Sequence, residues 1–404
     1  MRLHRNLVFT VIDSLNSIFN EEVYADKAVE SALKKDSRWG ARDRKFVAET
    51  IYEIVRWKRL YNEIAETKDH YSRENLWKIF TVWAVLRGIE LPDWKYFVNA
   101  PVRRIKGRFD EVQSIRKIKE SIPDWLDELG SKELGSQWSK ELTALNIQAP
   151  VVLRANTLRG TRTNLEKNLN AQDIETTIDL NHKDALILKE RKNVFRTDAF
   201  KSGLFEVQDA SSQLVAEFLE VKPGMRVIDT CAGAGGKTLH IAALMENKGQ
   251  LIAMDLYESK LKQLKLRAKR NGAFNIEYKI IDSTKVIKKL QEKADRVLID
   301  APCSGLGVLK RNPDAKWKLQ PEFIENIKKI QAEVLESYSR IVKPGGKLVY
   351  ATCSVLPSEN QEQIKNFLAN TETGKSFTFV KDAKILASES GFDGFYMALL
   401  ECNS

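Results

Sequence analysis

Two cysteines are the residues of this chain best suited to covalent chemistry. Cys303 lies in Asp-Ala-Pro-Cys-Ser-Gly and Cys353 in Ala-Thr-Cys-Ser, each at the end of an apolar run. Thiols act as nucleophiles in covalent catalysis, so two thiols at neighbouring strand ends could converge on one pocket. The alternative is that both are small buried apolar side chains, as most free cysteines are. We favour the pocket, because turn residues flank each cysteine and a glycine-rich loop accompanies them.

The glycine-rich loop occupies residues 227–238. A β-branched run ends at Asp229, a turn follows, and a helical pattern begins near Lys237. A strand, loop and helix in this order can present backbone N–H groups to the polar end of a ligand. A Walker phosphate loop needs glycine where Cys231 stands, and a dinucleotide fingerprint needs glycine where Thr238 stands. The loop alone therefore leaves a plain structural turn open.

Acidic residues end the predicted strands, and this pattern favours a nucleoside-bearing ligand. Apolar runs alternate with helical segments, which predicts a doubly wound α/β sheet. Ligands of such sheets bind beyond the carboxyl ends of the strands, where carboxylates can reach ribose hydroxyls and an adenine amino group. Aspartate as an ordinary turn residue explains one such position more easily than four. The runs are 250–254, 276–281, 296–299 and 347–350, and the first four strands end at Asp229, Asp255, Asp282 and Asp300.

Four segments of the chain carry a family resemblance. They are Asp-Thr-Cys-Ala-Gly-Ala-Gly-Gly-Lys-Thr, Asp-Ala-Pro-Cys-Ser-Gly-Leu-Gly, Arg-Asn-Pro-Asp-Ala-Lys-Trp and Ala-Thr-Cys-Ser. These segments resemble the motifs of the RNA cytosine carbon-5 methyltransferases, which use S-adenosylmethionine. The resemblance spans about residues 120–402 and implies a Rossmann-like class I methyltransferase domain with a cytosine in RNA as the target. Methyltransferases of exocyclic amines usually have an aromatic residue where Cys303 stands, which argues against that reaction.

The resemblance assigns different roles to the two thiols. Carbon 5 of cytosine is a poor nucleophile, so a thiolate adds at carbon 6 before methyl transfer, and a base later removes the carbon-5 proton. In the family the Thr-Cys-Ser cysteine is the nucleophile and the Pro-Cys cysteine assists release, which places these roles on Cys353 and Cys303. The spacing of the two residues does not decide between them, and DNA cytosine methyltransferases attack with the Pro-Cys thiol instead.

The other expected site residues follow the same resemblance. One departure concerns the expected cofactor loop. The family loop usually reads Ala-Ala-Pro-Gly-Gly, whereas in this chain Gly233-Ala234 replaces Ala-Pro. The loss of proline frees one φ angle and puts the rigidity of the loop in question. Lys237 and Lys260 could instead be surface lysines. Asp300 is also expected to take part in catalysis, with Pro302 at the target base, and Arg311 and Trp317 are expected to contact the RNA. The expected cofactor-binding residues are Cys231, Ala232, Gly233, Ala234, Gly235, Gly236, Lys237, Asp255 (ribose), Lys260, Asp282 (adenine) and Asp300.

The segments before the catalytic motifs predict two further parts. Apolar residues recur at helical spacing through 7–19, 46–60 and 76–86, and the basic stretch 36–45 resembles the turn of NusB-type RNA-binding domains. Residues 148–159 look like the family's edge strand, in which Arg154 and Asn156 could meet RNA or be turn residues. We expect a helical NusB-like RNA-binding domain at 1–120, a small α+β connector resembling an RNA-recognition fold at 121–206 and the catalytic domain at 207–404.

Composition supports a polyanionic partner. The 404 residues carry a net charge of +10, and basic residues crowd 103–119, where we favour phosphate contacts. Basic residues beside an aromatic in 306–317 suit a single strand with an extruded base. Four cysteines and four scattered histidines favour neither a disulfide framework nor a metal site, and no apolar run reaches membrane length. We therefore expect a cytoplasmic monomer acting on 16S rRNA, with a tRNA target or a non-catalytic RNA-binding assembly factor as the alternatives.

Overall fold

The computed structural model describes residues 2–403, and its internal contacts form two compact units. One unit is mainly helical and comprises Met1–Ile147 with the separate segment Leu309–Leu319; the other comprises Gln148–Val308 with Gln320–Ser404 and holds both sheets. The three domain ranges expected from the sequence remain predictions. No helix in the described part of the chain is long and apolar enough to span a bilayer.

The helices follow the apolar periodicity of the sequence. In chain order they are α1 Arg5–Asn20, α2 Ala25–Lys34, α3 Ala41–Arg56, α4 Lys58–Ala65, α5 Arg73–Leu86, α6 Val102–Val112, α7 Arg116–Lys119, α8 Asp124–Leu134, α9 Gln137–Leu145, α10 Arg162–Asn170, α11 Asp198–Lys201, α12 Ala210–Phe218, α13 Gly236–Leu244, α14 Glu258–Asn271, α15 Thr284–Lys289, α16 Ala315–Lys318, α17 Pro321–Ser339, α18 Gln361–Asn370 and α19 Ala387–Ser390.

The strands, in chain order, are β1 Val152–Ala155, β2 Thr176–Ile178, β3 Ala185–Leu188, β4 Phe205–Val207, β5 Arg226–Asp229, β6 Gln250–Asp255, β7 Ile276–Ile280, β8 Ala294–Asp300, β9 Val342–Thr352, β10 Phe377–Ile385 and β11 Phe395–Cys402.

The helical unit has an aromatic-rich core. The faces of α1, α3 and α5 that carry apolar residues at helical spacing are buried in it, and Trp77 stacks on Tyr96 with 4.0 Å between ring centroids. The hydroxyl of Ser72 accepts the backbone N–H of Asn75 and caps the start of α5. The apolar run at 46–60 does not form one helix, because the backbone leaves helical geometry at Trp57 and separates α3 from α4.

A small antiparallel sheet begins the second unit. Its strand order is β2-β3-β1-β4, with α10 and α11 packed against it. The expectation of an edge strand at 148–159 was wrong, since β1 pairs with β3 on one side and with β4 on the other. All four residues of β1 are buried, including the charged Arg154.

The large sheet is the doubly wound sheet expected from the sequence. Its strand order is β10-β11-β9-β8-β5-β6-β7. The five strands from β9 to β7 are parallel, and β11 pairs antiparallel with both β9 and β10. Residues 343–346 lie inside β9, where the pairing with β8 shifts register between Val342 and Lys347. Because β5 lies between β6 and β8, the chain reverses its direction of winding there, and a ligand crevice opens at such a point.

Candidate active site

The loop between β5 and α13 lies at the point where the winding of the sheet reverses. Gly235 has φ +91°, and a Cβ built on it would lie 2.0 Å from Cδ1 of Leu264. Gly233 has φ +54°, but a Cβ there would meet nothing within 4 Å. Glycine is therefore required for packing at Gly235, whereas Gly233 serves only the left-handed backbone conformation.

Three hydrogen bonds fix this loop in place of the absent proline. The Gly233 N–H donates to Oδ2 of Asp255 at 2.8 Å, and Nη1 of Arg267 donates to the Ala234 carbonyl at 2.6 Å. Nη1 of Arg154 donates to the Gly236 carbonyl at 2.7 Å. Arg154 is 1% exposed, so it braces the β5–α13 loop and is not available to RNA, one of the two roles that its sequence context suggested. Sequence reasoning missed both arginines, because their targets are backbone carbonyls far away in the chain.

Asn156 also turns inward. Its side-chain amide donates to the carbonyls of Gly203 and Asn271, at 2.7 Å and 2.8 Å, and it is 3% exposed. These contacts fit the second role that the sequence suggested for Asn156, a turn residue at the end of the strand.

Lys237 and Asp300 form an ion pair beside the loop. Their Nζ and Oδ2 atoms are 2.7 Å apart, and the Lys237 ammonium lies 5.2 Å from the ring centroid of Phe395. Burial alone would lower the pKa of Lys237, but the charge and hydrogen bond of Asp300 outweigh it, with a further contribution from Cys353, so that the pKa is raised. Lys237 is thus a cation of the pocket, and its side chain is only 13% exposed.

Asp229 ends β5 beneath the same loop. Its Oδ2 accepts the hydroxyl of Thr238 at 2.7 Å, and the residue is 1% exposed. Burial raises its pKa to about 7, the neighbouring Asp300 contributes in the same direction, and the Thr238 hydrogen bond opposes the shift. Cys231, which follows two residues later, is packed against the core of the sheet, and burial raises the pKa of its thiol.

The other expected cofactor residues line the same edge of the sheet. Asp255 accepts two backbone N–H groups, from Gly233 and from Tyr257, each at 2.8 Å, which orients its carboxylate. Asp282 lies two residues beyond β7, is exposed and accepts the hydroxyl of Ser283 at 3.0 Å. Lys260 is exposed on the first turn of α14.

The two cysteines expected to do chemistry are in contact. Cys303 follows β8 and Cys353 follows β9, these strands are paired, and the two Sγ atoms lie 3.3 Å apart. The hydrogen bond with Cys353, followed by burial and by the negative charges of Cys353 and Glu359, raises the pKa of Cys303 well above its ordinary value. The Gly307 N–H also donates to the Cys353 carbonyl at 2.9 Å, which joins the two loops.

A buried carboxylate that sequence reasoning missed contacts both the loop after β8, which contains Cys303, and the loop after β9, which contains Cys353. Glu359 is 0% exposed and accepts the hydroxyls of Ser304 and Ser354, each at 2.5 Å. The only sequence signal is a polar run, Pro-Ser-Glu-Asn, shortly after Cys353. Nothing in this run shows that its carboxylate reaches the serine that follows Cys303.

The expected RNA-contacting residues differ in their surroundings. Pro302 is exposed, and its carbonyl accepts Nε2 of Gln331 at 2.9 Å. Arg311 and Trp317 lie in the segment Leu309–Leu319, which belongs to the helical unit. The indole N–H of Trp317 donates to the Val55 carbonyl at 2.7 Å, and the ring packs against the helical core. Its expected contact with RNA gains no support from these contacts and stays a prediction.

The remainder of the segment Leu309–Leu319 is also held within the helical unit. Arg56 donates to the carbonyls of Leu309 and Lys310, at 3.3 Å and 2.8 Å. Lys316, expected beside a nucleic-acid strand, is 1% exposed and donates to Asn146 at 3.0 Å, and burial lowers its pKa well below the ordinary value. This lysine is therefore a buried contact of the helical unit and does not present a charge to solvent.

One group of possible metal ligands occurs among residues 2–403. Single ligand atoms of Asp184, Glu217 and His240 lie within 4.8 Å of one another. The cations of Lys183 and Arg154 are close enough to influence this group electrostatically, and burial lowers the pKa of His240 to about 4. The sequence, in which these residues are scattered, gave no indication that they meet.

Comparison with known proteins identifies the family. A model of the 16S rRNA methyltransferase RsmB/F family matches residues 216–401, and a model of the ferredoxin-like domain of RsmF/B-like methyltransferases matches residues 122–195. A probable ribosomal RNA small subunit methyltransferase B of Synechocystis sp. is 32% identical over 409 residues, which cover 93% of this chain and 91% of that protein. The chain belongs to the RsmB/F methyltransferase family. The resemblance expected from the motifs is thereby confirmed.

Further relatives agree with this membership. A probable ribosomal RNA small subunit methyltransferase B of Bacillus subtilis is 33% identical over 74% of this chain and 72% of its own length. Among solved structures, the protein PH0851 has a TM-score of 0.83 at 25% identity, with 99% of each chain covered. A methyltransferase homologue from Pyrococcus horikoshii has a TM-score of 0.63 at 26% identity, over 71% of this chain and 97% of its own. The expected Rossmann-like α/β fold with an N-terminal helical region is confirmed.

Proposed function

We propose that this member of the RsmB/F family transfers a methyl group from S-adenosylmethionine to carbon 5 of a cytosine in 16S rRNA, through a covalent adduct with Cys353. The observation that carries the proposal is the pair of thiols, 3.3 Å apart, at the ends of two adjacent parallel strands and beside the Lys237–Asp300 ion pair. The names of the relatives, small-subunit rRNA methyltransferases, support the substrate.

The residues at the carboxyl edge of the sheet fit S-adenosylmethionine. The left-handed glycines of the β5–α13 loop leave its backbone open beside Asp255, whose carboxylate is oriented by two backbone N–H groups and keeps lone pairs for ribose hydroxyls. Leu256, directly after Asp255, is 62% exposed and offers an apolar surface to a nucleobase. In this proposal the loop from Cys231 to Lys237 holds the methionine end and Asp282 lies on the adenine side.

The charges around the thiols support Cys353 as the nucleophile. The raised pKa of Cys303 keeps a proton on its sulfur, and the Lys237 ammonium interacts favourably with a negative charge on Cys353. The Cys353 thiolate forms a bond to carbon 6 of the cytosine, and the electron pair of the carbon 5–carbon 6 double bond becomes available at carbon 5. S-adenosylmethionine, when bound, supplies the methyl group to that carbon.

The Cys303 thiol is well placed to assist release. Loss of the carbon-5 proton to solvent re-forms the ring double bond and breaks the bond between carbon 6 and the Cys353 sulfur, which departs as a thiolate. Cys303 lies 3.3 Å from that sulfur, and its S–H can donate a hydrogen bond to the departing anion. Asp300 and Pro302 are proposed to contact the polar edge of the base.

Nucleoside mass spectrometry tests this function. Unmodified 16S rRNA and tRNA are incubated with the protein and isotopically labelled S-adenosylmethionine, and labelled 5-methylcytidine is expected in the rRNA. Cys353→Ser should abolish the label, whereas Cys402→Ser, a half-buried thiol at the end of β11, should leave it unchanged. Label in tRNA would keep the chemistry and overturn the substrate. Bound cofactor without label in either RNA would favour a non-catalytic assembly factor.

A further inference from the structure

Glu359 is a buried carboxylate whose hydrogen-bond donors, among the described residues, are all uncharged. Its Oε1 accepts the hydroxyls of Ser304 and Ser354, each at 2.5 Å. Its Oε2 accepts the backbone N–H of Ser304 at 2.8 Å and Nε2 of Gln331 at 3.0 Å. A buried carboxylate without a cation is costly unless hydrogen bonds satisfy it, and here four donors do so.

The donors to Glu359 are the direct neighbours of the two thiols. Ser304 follows Cys303, and Ser354 follows Cys353. The two hydroxyls also lie 3.2 Å apart, so both serines and the carboxylate form one closed cluster. The position of Glu359 is fixed in turn by the hydroxyl of Tyr350, which donates to its backbone carbonyl at 2.8 Å. One carboxylate therefore joins two loops that follow different strands.

We propose that Glu359 is a positioning residue that holds the loops of Cys303 and Cys353 together and sets the distance between their sulfurs. The role rests on the proposed function, in which these thiols are the reacting groups. Gln331 extends the same cluster, because its amide donates both to Glu359 and to the Pro302 carbonyl, directly before Cys303.

The charge of Glu359 has a second effect within this role. It is one of the negative charges that raise the pKa of Cys303, after the hydrogen bond with Cys353 and burial. Glu359 thereby favours the protonated thiol on Cys303. Position and charge can be separated by substitution: in Glu359→Gln the amide oxygen can still accept from Ser304 N and Gln331, and the amide N–H groups can donate to the two hydroxyls.

Disulfide formation measures the distance between the thiols without RNA or cofactor. Diamide takes two electrons and two protons from Cys303 and Cys353, which form one S–S bond while the reagent becomes a hydrazine. Peptide mass spectrometry of the full chain gives the rate. We expect Glu359→Ala to slow this step at least about tenfold, since a misplacement of about 1 Å has effects of this size or larger. Glu359→Gln should stay close to the wild-type rate.

Alkylation reports the charge. The pH at which iodoacetamide modifies Cys303 is expected to fall by about one unit in Glu359→Gln, because a nearby charge shifts a pKa by this amount or more. In methylation assays the same variant should lower kcat and leave KM for RNA unchanged. The control is Glu336→Gln, which removes a carboxylate that accepts the Thr373 hydroxyl in the same unit, and it should change none of these values.

The outcomes distinguish this role from the proposed function. Slow disulfide formation in folded Glu359→Ala, with an alkylation shift in Glu359→Gln, supports the positioning role even if no 5-methylcytidine is ever formed. A wild-type disulfide rate in folded Glu359→Ala overturns it, even if the enzyme methylates rRNA. If Glu359→Ala does not fold, the double substitution Ser304→Ala with Ser354→Ala takes its place, and an unchanged disulfide rate in that variant equally overturns the proposal.

Discussion

Gly235→Ala is expected to destabilise strongly the unit that holds both sheets. At φ +91° an L-residue costs about 1–2 kcal/mol, and the added methyl group would lie 2.0 Å from Cδ1 of the fully buried Leu264. Overpacking of a well-filled core costs a further 1–3 kcal/mol or so. The lower entropy of the unfolded chain recovers about 0.4–1 kcal/mol, so the expected loss in the free energy of unfolding is about 1–4.5 kcal/mol. Weaker binding of S-adenosylmethionine should accompany it, because α14 and the β5–α13 loop are pushed apart.

Gly233→Ala is the matched control in the same loop. Its φ of +54° carries the left-handed cost, but a Cβ there would meet no atom within 4 Å. The lower entropy of the unfolded chain recovers about 0.4–1 kcal/mol, so the net loss should be about 1 kcal/mol or less. Urea unfolding followed by circular dichroism gives both values, and a calorimetric titration with S-adenosylmethionine gives the affinities.

A double-mutant cycle identifies the cause. Leu264→Ala destabilises by itself, because Leu264 is buried in the core of the sheet. If the contact with Leu264 causes the loss in Gly235→Ala, the double variant should be at least about 1 kcal/mol more stable than the sum of the two single losses predicts. Equal losses for Gly235→Ala and Gly233→Ala, or additive losses in the cycle, would refute the reasoning.

Three further predictions concern the thiols, the buried acid and the helical unit. Cys303→Ser should accumulate the covalent RNA adduct, seen as a shifted band on a denaturing gel, whereas the adduct should be absent in Cys353→Ser. Asp229→Asn should remove a pH-dependent loss of stability. Burial raises the pKa of Asp229 to about 7, so the wild type keeps its full stability below about pH 4 and loses up to about 4 kcal/mol as pH rises through 7. Urea unfolding from pH 4 to pH 8 should therefore show a difference between wild type and variant that grows with pH, in favour of the variant. Trp317→Phe should cost about 1 kcal/mol of stability, because the hydrogen bond to the Val55 carbonyl is lost, and should leave the affinity for RNA within about twofold of the wild type. Weaker RNA binding without a loss of stability would instead indicate that Trp317 contacts RNA.

The sheet could be predicted from the sequence because its signals are local. β-branched runs that end in aspartate define β5, β6 and β8, and the alternation of these runs with helical segments leaves few topologies. The adjacency of the strands before Cys303 and Cys353 followed from that topology, and the structure confirms it. The helix break at Trp57 was not predictable, because apolar periodicity continues through it and only the backbone conformation shows the interruption.

Contacts between distant segments could not be predicted in the same way. From the sequence, Arg154 could meet RNA or be a turn residue at a strand end. The strand is central, however, and the guanidinium reaches the Gly236 carbonyl, 82 residues away in the sequence. The same applies to Glu359, which accepts from Ser304 across 55 residues. Both depend on which strands become neighbours and on which side chains then face inward.

The choice of nucleophile shows why this long-range information matters. Two cysteines 50 residues apart at equivalent strand ends are equivalent in the sequence, and related chemistry is known with either one attacking. The surroundings are not equivalent, because the Lys237 ammonium acts on Cys353 and the Glu359 carboxylate acts on Cys303. The Glu359 carboxylate contributes to the raised pKa of Cys303, whereas the Lys237 ammonium interacts favourably with a negative charge on Cys353. The raised pKa of Cys303 keeps the proton on its sulfur, which supports the proposed choice of Cys353 as the nucleophile.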